Sequence, residues 1–256
     1  MTPGEPGSFT GVTQAPQARW RVLRSGRRSS GIIPDALEPE RVVSSQGSLP
    51  SKLPQDPFPL FEEWYRSARD DKVQPNPDAM VVASATSDAR PSARVVLCRQ
   101  LIVDPGYVVF FTNYESRKGR ELEQNPRAAA VLHWDTLGRQ VRLEGSVVRS
   151  PEAESDEYFA GRALDSRIGA WASLQSQPLD SRTTLLKRVA AETARFGVRV
   201  PRPPHWGGFR LWPDALELWV EGRFRIHDRA RWTRTLTPSG PSEFEAGTWT
   251  STRLFP

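Results

Sequence analysis

Apolar residues first fall into register after Asp56-Pro57, where Asp offers an N-cap and Pro suits the first helical position. Phe61, Trp64, Tyr65 and Ala68 then share one helical face. Beyond this point strand-like runs take over, broken by turns. Met80 to Thr86 and Ser92 to Cys98 flank the turn residues Ser87 to Pro91, and Tyr107 to Thr112 follows Pro105-Gly106. Arg127 to Trp134 and Gln140 to Val148 complete the group, with Val141, Leu143 and Val147 alternating against polar or small neighbours. Three helices interrupt the strands. One runs from Ser116 to just before Asn125-Pro126; the next starts at Ser150-Pro151 and carries Tyr158 and Arg162. The third spans Ser181 to Phe196, buries Leu185, Leu186, Val189 and Phe196, and ends at Gly197. Phe209 to Trp212 and Ala215 to Val220 form a last pair of strands leading into Arg223 to Leu236. The pattern predicts a mainly β fold with peripheral helices, a barrel rather than a doubly wound sheet.

Residues 1–55 carry no such periodicity. They are rich in Gly, Pro, Ser and Arg and are expected to form a largely disordered extension to a single folded domain over residues 56–256. Arg19, Arg21, Arg24, Arg27 and Arg28, with almost no acid before Asp35, faintly resemble an organelle transit peptide. A solvated extension is the favoured reading, because Pro and Gly interrupt any amphipathic helix. No run approaches the ~18 apolar residues that span a membrane, and no signal-peptide core follows Met1. A soluble cytoplasmic protein with no membrane partner is expected.

Composition narrows the chemistry. The single Cys98 excludes an internal disulfide, and His133, His205 and His227 lack zinc-type spacing, so no metal is expected. A net charge of +5 arises from 35 basic and 30 acidic residues. Nucleic-acid binding would need that excess gathered in a patch or arm, whereas a small phosphorylated ligand needs only a few placed cations.

Three constellations offer such cations. Phe110 to Lys118 runs from an apolar strand through a turn into a helix start, where free N–H groups and a partial positive charge attract anions. Arg117 and Lys118 stand in that first turn, against the macrodipole preference, so a phosphate nearby is the natural complement. In Arg223 to Arg231, an extended backbone would place Arg223, Arg225, His227, Arg229 and Arg231 on one face. Tyr158 and Arg162 are four apart on the expected helix, with Ser166 just beyond its end. Each alone is also readable as a solvated surface.

Taken together these residues resemble the pyridoxamine (pyridoxine) 5′-phosphate oxidase family. The most specific match is Leu216-Glu217-Leu218-Trp219, followed after Val220 and four further residues by Arg225-Ile226-His227-Asp228-Arg229. Thr112-Asn113 with Ser116-Arg117-Lys118, Arg139-Gln140-Val141, Asp165-Ser166 with Ile168-Gly169-Ala170-Trp171, and Trp206-Gly207-Gly208 also match in order and spacing. The resemblance implies an FMN-binding split β-barrel acting as a homodimer, with flavin sites at the subunit interface. It implies that Arg94, Arg99, Phe111, Thr112, Arg117, Lys118, Gln140, Gln175, Ser176, Trp219 and Arg229 hold FMN. Arg99, Tyr158, Arg162 and Ser166 would hold a substrate phosphate, with Arg225 and His227 against the pyridine ring as the catalytic pair. The implied reaction oxidises pyridoxine or pyridoxamine 5′-phosphate to pyridoxal 5′-phosphate, with O2 as acceptor and H2O2 as product. Oxidation of another ring, as in phenazine-pathway relatives, and a non-catalytic flavin- or pyridoxal-phosphate-binding module are the alternatives. Departures from the family pattern are Arg99 for Lys, Leu218 for an aromatic, Val220 for Gln, His or Gly, Ala163-Leu164 for Pro and a basic residue, and Arg167 for Gln.

Overall fold

The computed structural model describes residues 47–70 and 74–256; the expectation for residues 1–46 lies outside them. Asp56 caps the first helix as expected: its Oδ1 accepts from Phe58 N at 2.9 Å, and α1 spans Phe58–Asp70. Its apolar face, Phe58, Phe61, Trp64, Tyr65 and Ala68, is buried against the sheet. Full burial of each large side chain contributes roughly 1.5–3 kcal/mol.

The strands follow in order: β1 (Ala79–Ala85), β2 (Pro91–Leu97), β3 (Gln100–Ile102), β4 (Tyr107–Asn113), β5 (Arg127–Trp134), β6 (Arg139–Arg149) and β7 (Trp206–Val220). Then come β8 (Asp228–Thr233), β9 (Leu236–Gly240), β10 (Glu243–Ala246) and β11 (Thr250–Leu254). The helices between them are α2 (Arg117–Gln124), α3 (Glu152–Ala160), α4 (Leu164–Ala172) and α5 (Arg182–Phe196). The main sheet runs β11-β8-β7-β6-β5-β1-β2, with β4 bonded to both β3 and β7; β9 and β10 form a separate hairpin. Its pairings are all antiparallel.

β7 organises this sheet. Its first half pairs with β4 and its second half with β8 on the same edge, while β6 follows the other edge from Phe209 to Val220. Two strands taking one edge in succession curl the sheet into a half-open barrel. The sequence reading placed two strands here, Phe209 to Trp212 and Ala215 to Val220, on either side of Pro213-Asp214; Pro lacks the N–H that a central strand needs. The strand instead passes through with a register shift opposite Glu144 and Gly145. Gly145 makes that passage possible, since a Cβ there would lie 1.9 Å from the Trp212 carbonyl oxygen.

Other differences concern short elements. β3 and α4 were not anticipated; α4 follows Ala163, whose side chain caps nothing. Consequently Ser166 sits in the first turn of α4, and Arg162 lies past the Gly161 cap of α3 rather than on the helix beside Tyr158. α5 starts at its Ser181 cap and ends at Gly197, but it has no buried residue and Leu186 is exposed. The Arg223–Arg231 row is not one extended face: Arg223–Arg225 is a 3-10 turn with positive φ at Phe224 and Arg225, and the strand begins only at Asp228. Residues 47–55 pack on the barrel. Leu49 is buried and its N–H donates to Asp228 Oδ2 at 2.8 Å, while Trp232 Nε1 donates to the Pro54 carbonyl at 2.9 Å. No helix among the described residues is long and apolar enough to cross a membrane.

Candidate active site

Where β4 runs into α2, Ser116 turns the chain. Its Oγ accepts from Gly119 N at 3.3 Å, the expected N-cap. The same turn buries Lys118, whose Nζ donates to Thr112 Oγ1 and Gln175 Oε1 at 2.9 Å and to Ser116 Oγ at 3.2 Å. These acceptors are all neutral. Burial, reinforced by the nearby Arg94 charge, pushes the ammonium pKa down to about 8.

One turn further, Glu121 is 3% exposed and acts as the node for this end of the site. It accepts from Ser84 Oγ and Ser92 Oγ at 2.6 Å, from Arg117 Nε at 2.8 Å and from Arg94 Nη2 at 3.3 Å. Burial alone would raise its carboxyl pKa, but these four donors outweigh it and hold the value down to about 2. Glu121 therefore ties Arg94 of β2 to Arg117 of α2 and offsets one of their two charges. Lys118 is left without a carboxylate.

A second basic group repeats this arrangement. Arg99, fixed by its backbone N–H to the Val109 carbonyl at 2.8 Å, sends Nη1 to Asp78 Oδ2 at 3.3 Å. Asp78 also accepts from Arg69 Nε at 2.8 Å and Tyr65 Oη at 3.0 Å. Close to Arg99 lies Arg162, which has no ion-pair or hydrogen-bond partner for its guanidinium among the described residues, and whose Nη1 is buried. Burial lowers its pKa, with the Arg99 charge acting in the same direction and Tyr158 and the Asp165 carboxylate acting against it. Three rings rise beside it: Tyr158 stacks on Phe111 at 3.9 Å and 4°, and Trp206 on Phe111 at 5.6 Å and 9°.

Both basic groups open into one cavity of about 850 Å3 between β2, β4 and the α3–α4 region. Of the residues expected at the site, it brings together Arg94, Arg99, Phe111, Thr112, Arg117, Lys118, Tyr158, Arg162, Ser166, Gln175 and Ser176. The others do not line it. Gln140, Trp219 and Arg229 stand in one cross-strand row over β6, β7 and β8. His227 packs on Trp219 at 4.7 Å and accepts from Gly222 N through Nδ1 at 3.1 Å. Arg229 Nε donates to Glu217 at 2.9 Å, and Arg225 occupies the exposed turn before β8. Sequence reasoning gave no role to Asp78, Glu121 or Trp206. The four-residue spacing of Arg117 and Glu121 was a usable signal for one of them; Trp206 was named within the Trp206-Gly207-Gly208 motif but without a role, and Asp78 has no local signature.

Comparison with known proteins gives the family and the fold. Residues 70–196 match the family described as pyridoxamine 5′-phosphate oxidase, and residues 206–256 match the pyridoxine 5′-phosphate oxidase C-terminal dimerisation region. The pyridoxine/pyridoxamine 5′-phosphate oxidase of Burkholderia vietnamiensis is 49% identical over 84% of this chain and 97% of its own. That of Rhodospirillum rubrum is 48% identical over 79% and 97%. Among solved structures, PhzG from Burkholderia lata in complex with tetrahydrophenazine-1-carboxylic acid superposes with TM-score 0.70 at 33% identity, covering 82% of this chain and all of that one. A pyridoxamine 5′-phosphate oxidase-related, FMN-binding protein from Nostoc punctiforme shares the fold alone, with TM-score 0.59 at 14% identity over 80% of this chain and all of its own. The chain belongs to the pyridoxamine 5′-phosphate oxidase family and has the fold of its FMN-binding split barrels.

Proposed function

We propose that this chain is a cytoplasmic FMN-dependent oxidase that converts pyridoxine 5′-phosphate and pyridoxamine 5′-phosphate to pyridoxal 5′-phosphate. One observation carries the reading. The cavity holds two like-charged neighbours twice over, Lys118 with Arg94 and Arg162 with Arg99, and in each pair one member lacks a carboxylate. Two cations with no carboxylate bonded to them in one cleft suit two anionic groups, as a phosphorylated cofactor and a phosphorylated substrate would supply. The buried Lys118, surrounded by neutral acceptors, fits the FMN phosphate. Arg94 and Arg117 would complete that end, with Thr112, Gln175, Ser176 and Phe111 holding the remainder of the cofactor. Arg99, Tyr158, Arg162 and Ser166 would take the substrate phosphate.

Bound FMN supplies the two-electron acceptor, and its reoxidation by O2 yields H2O2. The protein's part is to orient the substrate's 4′ carbon and exclude competing geometry. The alcohol gives aldehyde and H2O2 from one O2; the amine consumes one water as well and releases ammonia. We assign Gln140, Trp219, Arg225, His227 and Arg229 to the same site through a homodimer, in which the C-terminal region of one copy completes the cleft of the other. Arg225 and His227 would then lie against the pyridine ring.

A second reading has a specific observation behind it, the 33% identity to a phenazine-bound relative. In that case Arg99 and Arg162 would face a ring carboxylate. Anaerobic mixing of the FMN-loaded protein with pyridoxine 5′-phosphate separates the two. The proposal expects the yellow flavin absorption to bleach, and O2 then to return it with H2O2 and pyridoxal 5′-phosphate. Flavin that stays oxidised with this substrate but bleaches with a reduced phenazine carboxylic acid would replace the first reading by the second.

A further inference from the structure

Most arginines bordering the cavity are held by acids: Arg94 and Arg117 by Glu121, Arg99 by Asp78. Arg162 is not. Its guanidinium carbon sits 4.6 Å from the centre of the Trp206 ring and 5.7 Å from that of Phe159. We propose that Trp206 is a positioning residue, gripping Arg162 by a ring face so that the guanidinium reaches the substrate phosphate with no bonded carboxylate to displace. This rests on the proposed role of Arg162 in phosphate binding.

The physical distinction is between two ways of fixing a cation. A carboxylate aims a guanidinium but cancels its charge, and an incoming anion must then compete with it. The quadrupole of an indole attracts the cation without contributing net charge. A planar, weakly hydrated guanidinium suits that face better than an ammonium would. The platform must itself be rigid, and Trp206 is. It is 6% exposed, its backbone N–H donates to the Pro203 carbonyl at 3.0 Å, and its backbone carbonyl accepts from Arg202 Nη1 at 2.8 Å. The edge of Phe159 meets it at 5.0 Å, and Phe111 and Tyr158 lie nearly parallel to it, within 9°. As the first residue of β7 it is paired with Asn113 at the end of β4, so the strand carrying Thr112 also sets the place of the ring.

The test uses the FMN-loaded full chain and compares phosphorylated with unphosphorylated substrate, pyridoxine 5′-phosphate against pyridoxine, by kcat, KM and anaerobic Kd. Trp206→Leu should cut the preference for the phosphorylated substrate about 10-fold, mainly through KM and Kd. Trp206→Phe, with a smaller ring face, should cut it about three-fold. Adding Trp206→Leu to Arg162→Ala should change the preference by less than about two-fold further, since the grip then has nothing to hold. Should the leucine variant fail to accumulate as folded protein, the phenylalanine variant and its pairing with Arg162→Ala decide the matter. An equal loss on both substrates would make Trp206 packing alone and overturn the inference, as would a preserved preference. A wild-type protein with no preference for the phosphorylated substrate would remove the phosphate role of Arg162 and the inference with it. A wild-type preference that persists in the Trp206 variants would sink the inference only.

Discussion

The carboxamide of Gln175 accepts a hydrogen bond from Lys118 Nζ at 2.9 Å, joining the loop after α4 to the first turn of α2. The bond brings a helix-capping turn and a loop 57 residues later to one point in the cavity. Its donor is a buried ammonium without a carboxylate, and several consequences can be measured.

Lys118→Met removes the charge but keeps a chain of similar length. FMN affinity should fall between about 10- and 100-fold, the range expected for a charge-assisted hydrogen bond of roughly 1.5–3 kcal/mol. Stability of the FMN-free protein should hold or rise, because the buried charge is a cost in the absence of an anion. Flavin fluorescence titration and urea unfolding check the two halves.

The same lysine gives opposite pH slopes. Its pKa falls from 10.5 to about 8 on folding, so the unfolded chain binds more protons between these values. Stability of the FMN-free protein should therefore gain a contribution as pH rises from about 8 towards 10.5. FMN, which prefers the protonated ammonium, should bind more weakly over that window. Lys118→Met should flatten both slopes; a wild-type FMN affinity that is level from pH 7 to 10 would refute the assignment.

Glu121 gives a stability slope of the same sign at acid pH, but here folding favours the charged form. Its carboxyl is depressed from 4.5 to about 2, so its stabilising contribution is present above 4.5 and lost as pH falls towards 2. The contribution is on the order of 2–4 kcal/mol. Glu121→Gln should flatten the acid limb of a stability-versus-pH curve. It should also weaken FMN more than riboflavin, because Arg94 and Arg117 lose their common anchor near the phosphate end. Equal effects on the two flavins would reduce Glu121 to a structural carboxylate.

Much of the fold was legible wherever one local rule sufficed. Asp56, Ser116 and Ser181 mark helix starts through capping chemistry that needs only neighbouring residues. α4 escaped because Ala163 offers no cap and the helix is short. Leu186 was placed in a core that only Val189 and Phe196 of α5 meet, partly buried, since periodicity shows a face but not what covers it. Pro213 was read as a strand break because the compensating register shift lies on another strand, at Gly145. At the site the individual cations could be named, and their number suggested phosphates. Which cations own an acid is a tertiary fact: Arg99 meets Asp78 and Arg94 meets Glu121 across 21 and 27 residues, while Arg162 finds a ring. The positive φ at Phe224 and Arg225, which ends the expected row of basic residues, has no signature in either residue type.

Arg234 tests the barrel rather than the site. It is buried, and its guanidinium donates to the carbonyls of Pro213 at 3.0 Å, Pro105 at 2.7 Å and Gly106 at 2.5 Å while lying 4.3 Å from the Trp249 ring centre. It thereby joins the β7 bulge to the turn before β4. Arg234→Met would leave three carbonyls without that donor and should destabilise by on the order of 2–4 kcal/mol. The measurement is the urea midpoint at constant slope, with FMN affinity at saturation of the folded state as the control that should not follow.

Arg225 carries the last prediction, because its turn is exposed and lies outside the cavity of its own chain. In the proposed homodimer it completes the cleft of the other copy. Arg225→Ala should then impair turnover while sparing FMN content, and Arg162→Ala should do the same from within the cleft. Neither homodimer has an intact site. Mixed and reassociated, the two variants form heterodimers in which one cleft carries both substitutions and the other carries neither. Random exchange should restore roughly a quarter of wild-type activity, since about half of the dimers are mixed and each has one intact cleft of two. Activity that stays at the level of the separate variants, in a mixture shown by mass to contain heterodimers, would place Arg225 and Arg162 in the same subunit's site or remove Arg225 from it.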